Sequence, residues 1–350
     1  MRYLATALTV FLSVSGQAQT QSDIHGTWTA ELHNGKAFLQ VRTAPPPDWN
    51  RRGDWNGDWS MGQSISVDEL SGLPANTDQL TASAVRFDLR REAGSLSFEG
   101  AFRDGRGAGL FTFVPRDAYA GEMRQLGYND DLPLWRRFQL AVHDVGPKYI
   151  RDLKGEGFDK LTLDEIQRAK THGVTIEYVK AMKSEGYKGA TLDEFVRTRD
   201  HGVTQQYVQG MKQAGFTGAT VEDLVRSKDH GVTPEYVKEI RDLGLKPTTL
   251  DEFVRMRDHG VRAEYIKAMA SAGYKDTPIE ELVRARDHGV TPEYVADLKD
   301  AGIKDLTLSQ AVRLRDHGIT PGFINHARAR GYKTTDPDEL VRLKNGGLWK

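Results

Sequence analysis

DHGVTPEY, Asp287 to Tyr294, admits two readings. An acid beside a histidine can begin a metal site or a catalytic dyad. A glycine followed by Val-Thr-Pro can equally mark the corner between two helices. Recurrence separates the two. A histidine returns every 29 residues at His143, His172, His201, His230, His259, His288 and His317. A ring keeps the same register at Tyr149, Tyr178, Tyr207, Tyr236, Tyr265, Tyr294 and Phe323. A glycine column runs from Gly157 to Gly331, and an arginine column from Arg168 to Arg342. A fixed period of this length is the mark of stacked helical repeats, each burying its apolar face on its neighbours.

Local physics builds one unit. TLDE (191–194) is a capping box, in which Thr191 covers an orphan N–H and Glu194 reaches back. Leu192, Phe195 and Val196 form one apolar face. The first helix is predicted to stop near His201, with Gly202 supplying the left-handed turn. Thr204 then caps a second helix that buries Tyr207, Val208 and Met211. Gly215 ends it, and Phe216 folds back on Met211 as in a Schellman closure. Helices of about ten residues are marginal alone and persist by stacking.

This reading weakens the chemical one. Zinc needs its ligands within about 2.0–2.3 Å of the ion, and equivalent histidines on stacked helices stand too far apart to share one. A catalytic dyad needs one distinct copy beside a nucleophile, whereas these copies are nearly identical. A histidine at a helix C-terminus instead interacts well with exposed carbonyls and the helix dipole. The arginine column is accompanied by acids such as Asp200, Asp229, Asp258, Asp287 and Asp316, so an ion-pair ladder between units is expected rather than a polyanion track. No catalytic, metal-binding or cofactor-binding residue is assigned. The histidines, and Tyr178, Tyr207, Tyr236, Tyr265 and Tyr294, are assigned to structure.

The first third of the chain changes period. GTWTAELH (26–33), AFLQVRT (37–43), AVRFDLRRE (84–92), SLSFEGAFR (95–103) and AGLFTFV (108–114) alternate apolar and polar residues around glycine-containing turns. Alternation with such turns means antiparallel hairpins. The expected fold is an all-β domain over 23–118, either a small sandwich or a partial barrel, followed by an α-solenoid of 29-residue two-helix repeats over 132–350. Residues 119–131 are expected to link them. The segment 44–60 reads as a long loop. Its Trp49, Trp55 and Trp59 suit either a platform for a glycan or peptide, or a cover over the open end of the sheet. The spacing of Asp54, Asn56 and Asp58 begins like a calcium loop, but Trp59 and Ile65 stand where glycine and glutamate are required.

Residues 1–18 combine a basic start, an apolar run and small residues at a cleavage site, the pattern of a secretory signal peptide, so a periplasmic or secreted protein is expected. With signal cleavage no transmembrane segment is expected to remain. The 48 basic and 49 acidic residues nearly cancel, which argues against a nucleic-acid partner. There is no cysteine, hence no disulfide and no thiolate chemistry.

VRARDHGVTPEYVADLKDAGI (283–303) resembles the "LRDHGVTPEYV" helical repeats of exported bacterial proteins, which also occur attached to BlaR/MecR-like transmembrane peptidases. GAGLFTFVPRDAYAGEMRQLGY (107–128) is similar to the end of a domain that commonly precedes such repeats. The peptidase's HExxH motif is missing, so the resemblance implies the repeat fold without protease activity. The functional expectation is a non-enzymatic repeat protein that binds a protein or peptide through the solenoid. The alternative is a sensing module whose tryptophan loop takes a glycan, peptide or small molecule, linked to a peptidase signalling system of that kind.

Overall fold

The computed structural model describes residues 23–46, 57–74 and 83–347. The signal segment, Trp49, Trp55 and the Asp54–Asn56 part of the calcium-like spacing lie outside them. Contacts divide the chain into two compact units, Met1–Thr171 and His172–Lys350.

In the first unit, β1 (Ile24–His33), β2 (Lys36–Thr43), β3 (Trp59–Ser66), β4 (Leu70–Ser71), β5 (Ser83–Arg91), β6 (Gly94–Arg103) and β7 (Arg106–Pro115) form one antiparallel sheet of seven strands in the order β3-β2-β1-β7-β6-β5-β4. Of the two expected forms, the partial barrel is present and the sandwich is not. One sheet serves both walls because it curls tightly around Trp28. Trp28 pairs with Gly109, and Gly109 with Gly100, so the indole lies over two residues without side chains. Its Nε1 donates to the Glu99 carbonyl at 3.1 Å, one strand beyond its neighbour. Phe87, three strands away from β1, comes edge-on to Trp28 at 5.2 Å.

A helix plugs the open side. Along α2 (Leu134–Val142), Phe138 stacks on Phe111 at 5.8 Å and tilts against Phe113 at 5.4 Å. Trp135 meets Trp59 edge-on at 5.7 Å. The first helix of the repeat array thus completes the core of the sheet, and the division by contacts follows that core rather than the start of the repeats. The stretch read as a link contains α1 (Ala118–Gln125), whose Tyr119 and Met123 are fully buried. This helix packs on α3 (Pro147–Gly155), which α4 (Leu163–Thr171) follows in the chain, and ends in Gly127 at φ 94°. Tyr128 N–H returns to the Met123 carbonyl at 3.0 Å, the closure used by the second helices of the array. A degenerate second helix therefore precedes the first complete repeat.

The second unit holds α5 (Ile176–Ser184), α6 (Leu192–Asp200), α7 (Gln205–Gln213), α8 (Val221–Asp229), α9 (Pro234–Asp242), α10 (Leu250–Asp258), α11 (Ala263–Ser271), α12 (Ile279–Asp287), α13 (Pro292–Asp300), α14 (Leu308–Asp316), α15 (Pro321–Ala329) and α16 (Pro337–Asn345). The first helices α6, α8, α10, α12, α14 and α16 pack in one series, and second helices such as α5, α7 and α9 pack in another. The corner has the expected form. Thr191 and Glu194 make the capping box, His201 is the C-cap, Gly202 has φ 67°, and Thr204 accepts from Tyr207 N–H at 3.2 Å. The Schellman closure is present, with Phe216 N–H on the Met211 carbonyl at 3.0 Å.

His143, in the first complete repeat, has a different environment from later members of its column. Its partner one repeat on is Thr171 at 2.8 Å, where His172, His201, His230, His259 and His288 face an aspartate. Burial, with the Arg136 charge in second place, lowers its pKa from 6.5 to about 4. A histidine with a depressed folded pKa leaves the unfolded chain the better proton binder between those values. Its contribution to stability is therefore present above pH 6.5 and lost as pH falls towards 4. We expect a loss of about 2 kcal/mol over that window after allowing for partial exposure. His143→Asn should flatten that part of a urea-stability profile against pH.

Candidate functional site

The repeating side chains come first, because their duties decide what remains for function. The histidine ring does not simply cap its own helix. His172, His201, His230, His259 and His288 each direct Nδ1 at the aspartate of the next repeat, Asp200, Asp229, Asp258, Asp287 and Asp316, at 2.6–2.7 Å. A carboxylate accepts only, so Nδ1 carries the proton and donates. The four DHG turns at 200–202, 229–231, 258–260 and 287–289 are thus each used twice. Asp287 accepts from His259 behind it, and His288 donates to Asp316 ahead. Sequence reading missed this because the adjacent pair never meets, and the bond spans 28 positions.

The tyrosines make a second joint. The hydroxyls of Tyr178, Tyr207, Tyr236, Tyr265 and Tyr294 donate to the Val203, Val232, Val261, Val290 and Ile319 carbonyls at 2.8–3.0 Å. Burial pushes the Tyr236, Tyr265 and Tyr294 hydroxyls up to about 12, so they remain donors. Over each ring lies the cation two residues after the arginine column. Arg199 covers Tyr178 at 5.0 Å, Arg257 covers Tyr236 at 4.8 Å, and Arg315 covers Tyr294 at 4.9 Å.

The expected ion-pair ladder exists, with different acids. Arg197, Arg226 and Arg255 reach first-turn acids of the next repeat, Glu222, Asp251 and Glu280, at 2.7 Å, and Arg313 pairs with Asp338. The aspartates of the DHG turns belong to the histidines instead. Among the described residues no group of three histidine, aspartate or glutamate side chains is placed to hold a metal ion.

What does not repeat lies along the second helices. A cleft of about 520 Å³ runs between α7 and α9, bordered by Gln206, Gln213, Lys238, Arg241 and Asp242. Gly210 lines it, where other repeats carry larger side chains, including Asp152, Glu239 and His326, and the glycine lets Pro234 of α9 approach closely. A Cβ there would lie 2.5 Å from the Pro234 ring. A second hollow, of about 380 Å³, lies between the end of α9 and α11. Glu185, at the end of α5, shows how strongly polar groups can converge on this face. Hydrogen bonds from Gln209, Gln205 and Lys212 hold its pKa down at about 2.

Of the tryptophan loop, Trp59 is described. It packs against Trp135 and Phe138 at 5.7 and 5.3 Å, as a cover for the sheet's core. No helix among the described residues is long and apolar enough to cross a membrane. No protein-family profile matches the chain, and neither does any curated protein.

Proposed function

We propose that the chain is an exported, non-enzymatic scaffold, periplasmic or secreted, that binds a protein or peptide partner along the second helices of its solenoid. The reading rests on one observation. The repeating polar side chains are engaged in joints between units, while Gln206, Gln213 and Asp242, around the α7–α9 cleft, are exposed and differ from the matching residues of neighbouring repeats. Stacked repeats commonly present such variable side chains on an extended binding surface. A mixed polar border around apolar Val237 and Pro234 suits an extended or helical peptide better than a small enclosed ligand.

The test compares three full-length proteins in capture from periplasmic extract: the natural chain, Gln206→Glu/Gln213→Glu/Lys238→Glu, and His230→Gln. The natural chain and His230→Gln are expected to retain the same partner, and the triple variant to lose it at unchanged secondary structure. Equal capture by the triple variant would move the binding site elsewhere.

A further inference from the structure

The hollow between α9 and α11 has a cause inside the repeat. One position of the second helix is basic in six repeats, at Lys154, Lys183, Lys212, Arg241, Lys299 and Arg328. The remaining member is Ala270. Where the basic side chain is present, the structure shows how it can be received. Arg241 donates to the Ala214 carbonyl at the end of α7 and lies over the Phe216 and Phe253 rings at 5.0 and 5.6 Å. Arg328 donates to the Ala301 carbonyl at the end of α13. A helix C-terminus offers unsatisfied carbonyls and a negative dipole end, which a guanidinium or ammonium matches.

Moving the Arg241 surroundings forward by one repeat gives the walls of the hollow. Ala214 becomes Leu243, Phe216 becomes Leu245, Phe253 becomes Leu282, and Pro247 becomes Asp276. All four border the 380 Å³ space, together with Ile266 and Ala270. Among the described residues nothing donates to the Leu243 carbonyl. The space is therefore the receptacle of a repeat cation whose own side chain has been shortened to a methyl group. Two lysines at the rim, Lys246 and Lys275, do not oppose this assignment, because Lys304 and Lys333 hold the same two positions around Arg328. Aliphatic walls at Leu245 and Leu282 also have a precedent there, since Ile303 and Leu340 are the corresponding residues for Arg328.

We propose that this hollow is a socket for a single arginine or lysine side chain of the partner peptide. The partner's cation takes the place that Arg241 and Arg328 fill from within the chain, with its stem on Leu245, Ile266 and Leu282 and its head on the Leu243 carbonyl. The proposal rests on the second-helix reading above and adds to it the chemistry of one anchoring residue.

The test uses full-length protein labelled at alanine methyls and titrated with Nα-acetyl-arginine amide. The uncharged citrulline analogue is the control. We expect the Ala270 methyl resonance to shift with a dissociation constant on the order of 1 mM, and the citrulline analogue to bind at least about tenfold more weakly. Ala270→Arg should fill the socket from within, abolish the titration and raise the melting temperature by about 2 °C. A silent Ala270 methyl, equal binding of citrulline, or a lowered melting temperature in Ala270→Arg would each overturn the socket. Capture of a partner from extract that persists while Ala270 is silent leaves the second-helix reading standing. Capture lost by none of the face variants removes that reading whatever arginine does.

Discussion

Gly109→Ala is expected to destabilise the full chain by about 3 kcal/mol or more, with loss of amide protection concentrated in β1, β6 and β7. The reason is space rather than backbone conformation. A Cβ on Gly109 would lie 1.9 Å from the Glu99 carbonyl oxygen and 2.6 Å from the Gly100 Cα. Both belong to the neighbouring strand, so relief requires the sheet to open. Opening it withdraws the wall against which Trp28 lies, and Trp28 is 1% exposed and in edge contact with Phe87 and Phe98. The control is Gly121→Ala in α1, where a Cβ meets nothing within 4 Å. There alanine's better helix propensity should leave stability unchanged or raise it by up to about 1 kcal/mol. Urea unfolding of both proteins, with hydrogen exchange to locate the damage, checks the pair.

Phe253→Ala is expected to cost about 3–5 kcal/mol in the second unit. Phe253 is fully buried on α10 and bridges repeats. Its ring meets Phe216 and Tyr236 edge-on at 5.8 and 6.2 Å, both from preceding repeats, and Arg241 lies over it. Removing it opens a cavity at a joint between units as well as inside one. In a stack where each unit touches only its neighbours, damage decays with distance along the array. Hydrogen exchange should therefore rise most in α8 to α11 and little in α14 to α16. Uniform loss of protection across the second unit would show that the stack melts as a whole.

Much of the architecture was legible in single residues. Thr191, Glu194, Gly202, Thr204 and Gly215 each satisfy a local rule, and a local rule needs no knowledge of partners. The strands around Asn34-Gly35 and Ala93-Gly94 were legible for the same reason. Edge strand β3 was not, because WSMGQSIS alternates weakly and Gly62 interrupts it. Helix α1 escaped because its burial depends on Tyr119 and Met123 finding tertiary partners; the Tyr119 hydroxyl, for instance, donates to the Val145 carbonyl at 2.8 Å. The histidine column was read as capping its own helix, whereas its Nδ1 bonds run to the next repeat. Its acceptor sits 28 residues away, and composition favoured the nearer helix carbonyls. The socket beside Ala270 is written in the sequence as one break in a basic column. Its meaning required seeing where Arg241 and Arg328 place their side chains.

The histidine–aspartate bonds make the DHG motif a joint between repeats. A double-mutant cycle on His230 and Asp258, whose Nδ1 and Oδ1 stand 2.6 Å apart, tests it most directly. Stability of the natural chain, His230→Ala, Asp258→Ala and the double variant is measured by urea unfolding at neutral pH. For a half-exposed pair a favourable coupling of about 0.5–1 kcal/mol is expected, with partner capture retained in all four proteins. Additive losses, or folded single variants that no longer capture the partner, would contradict it.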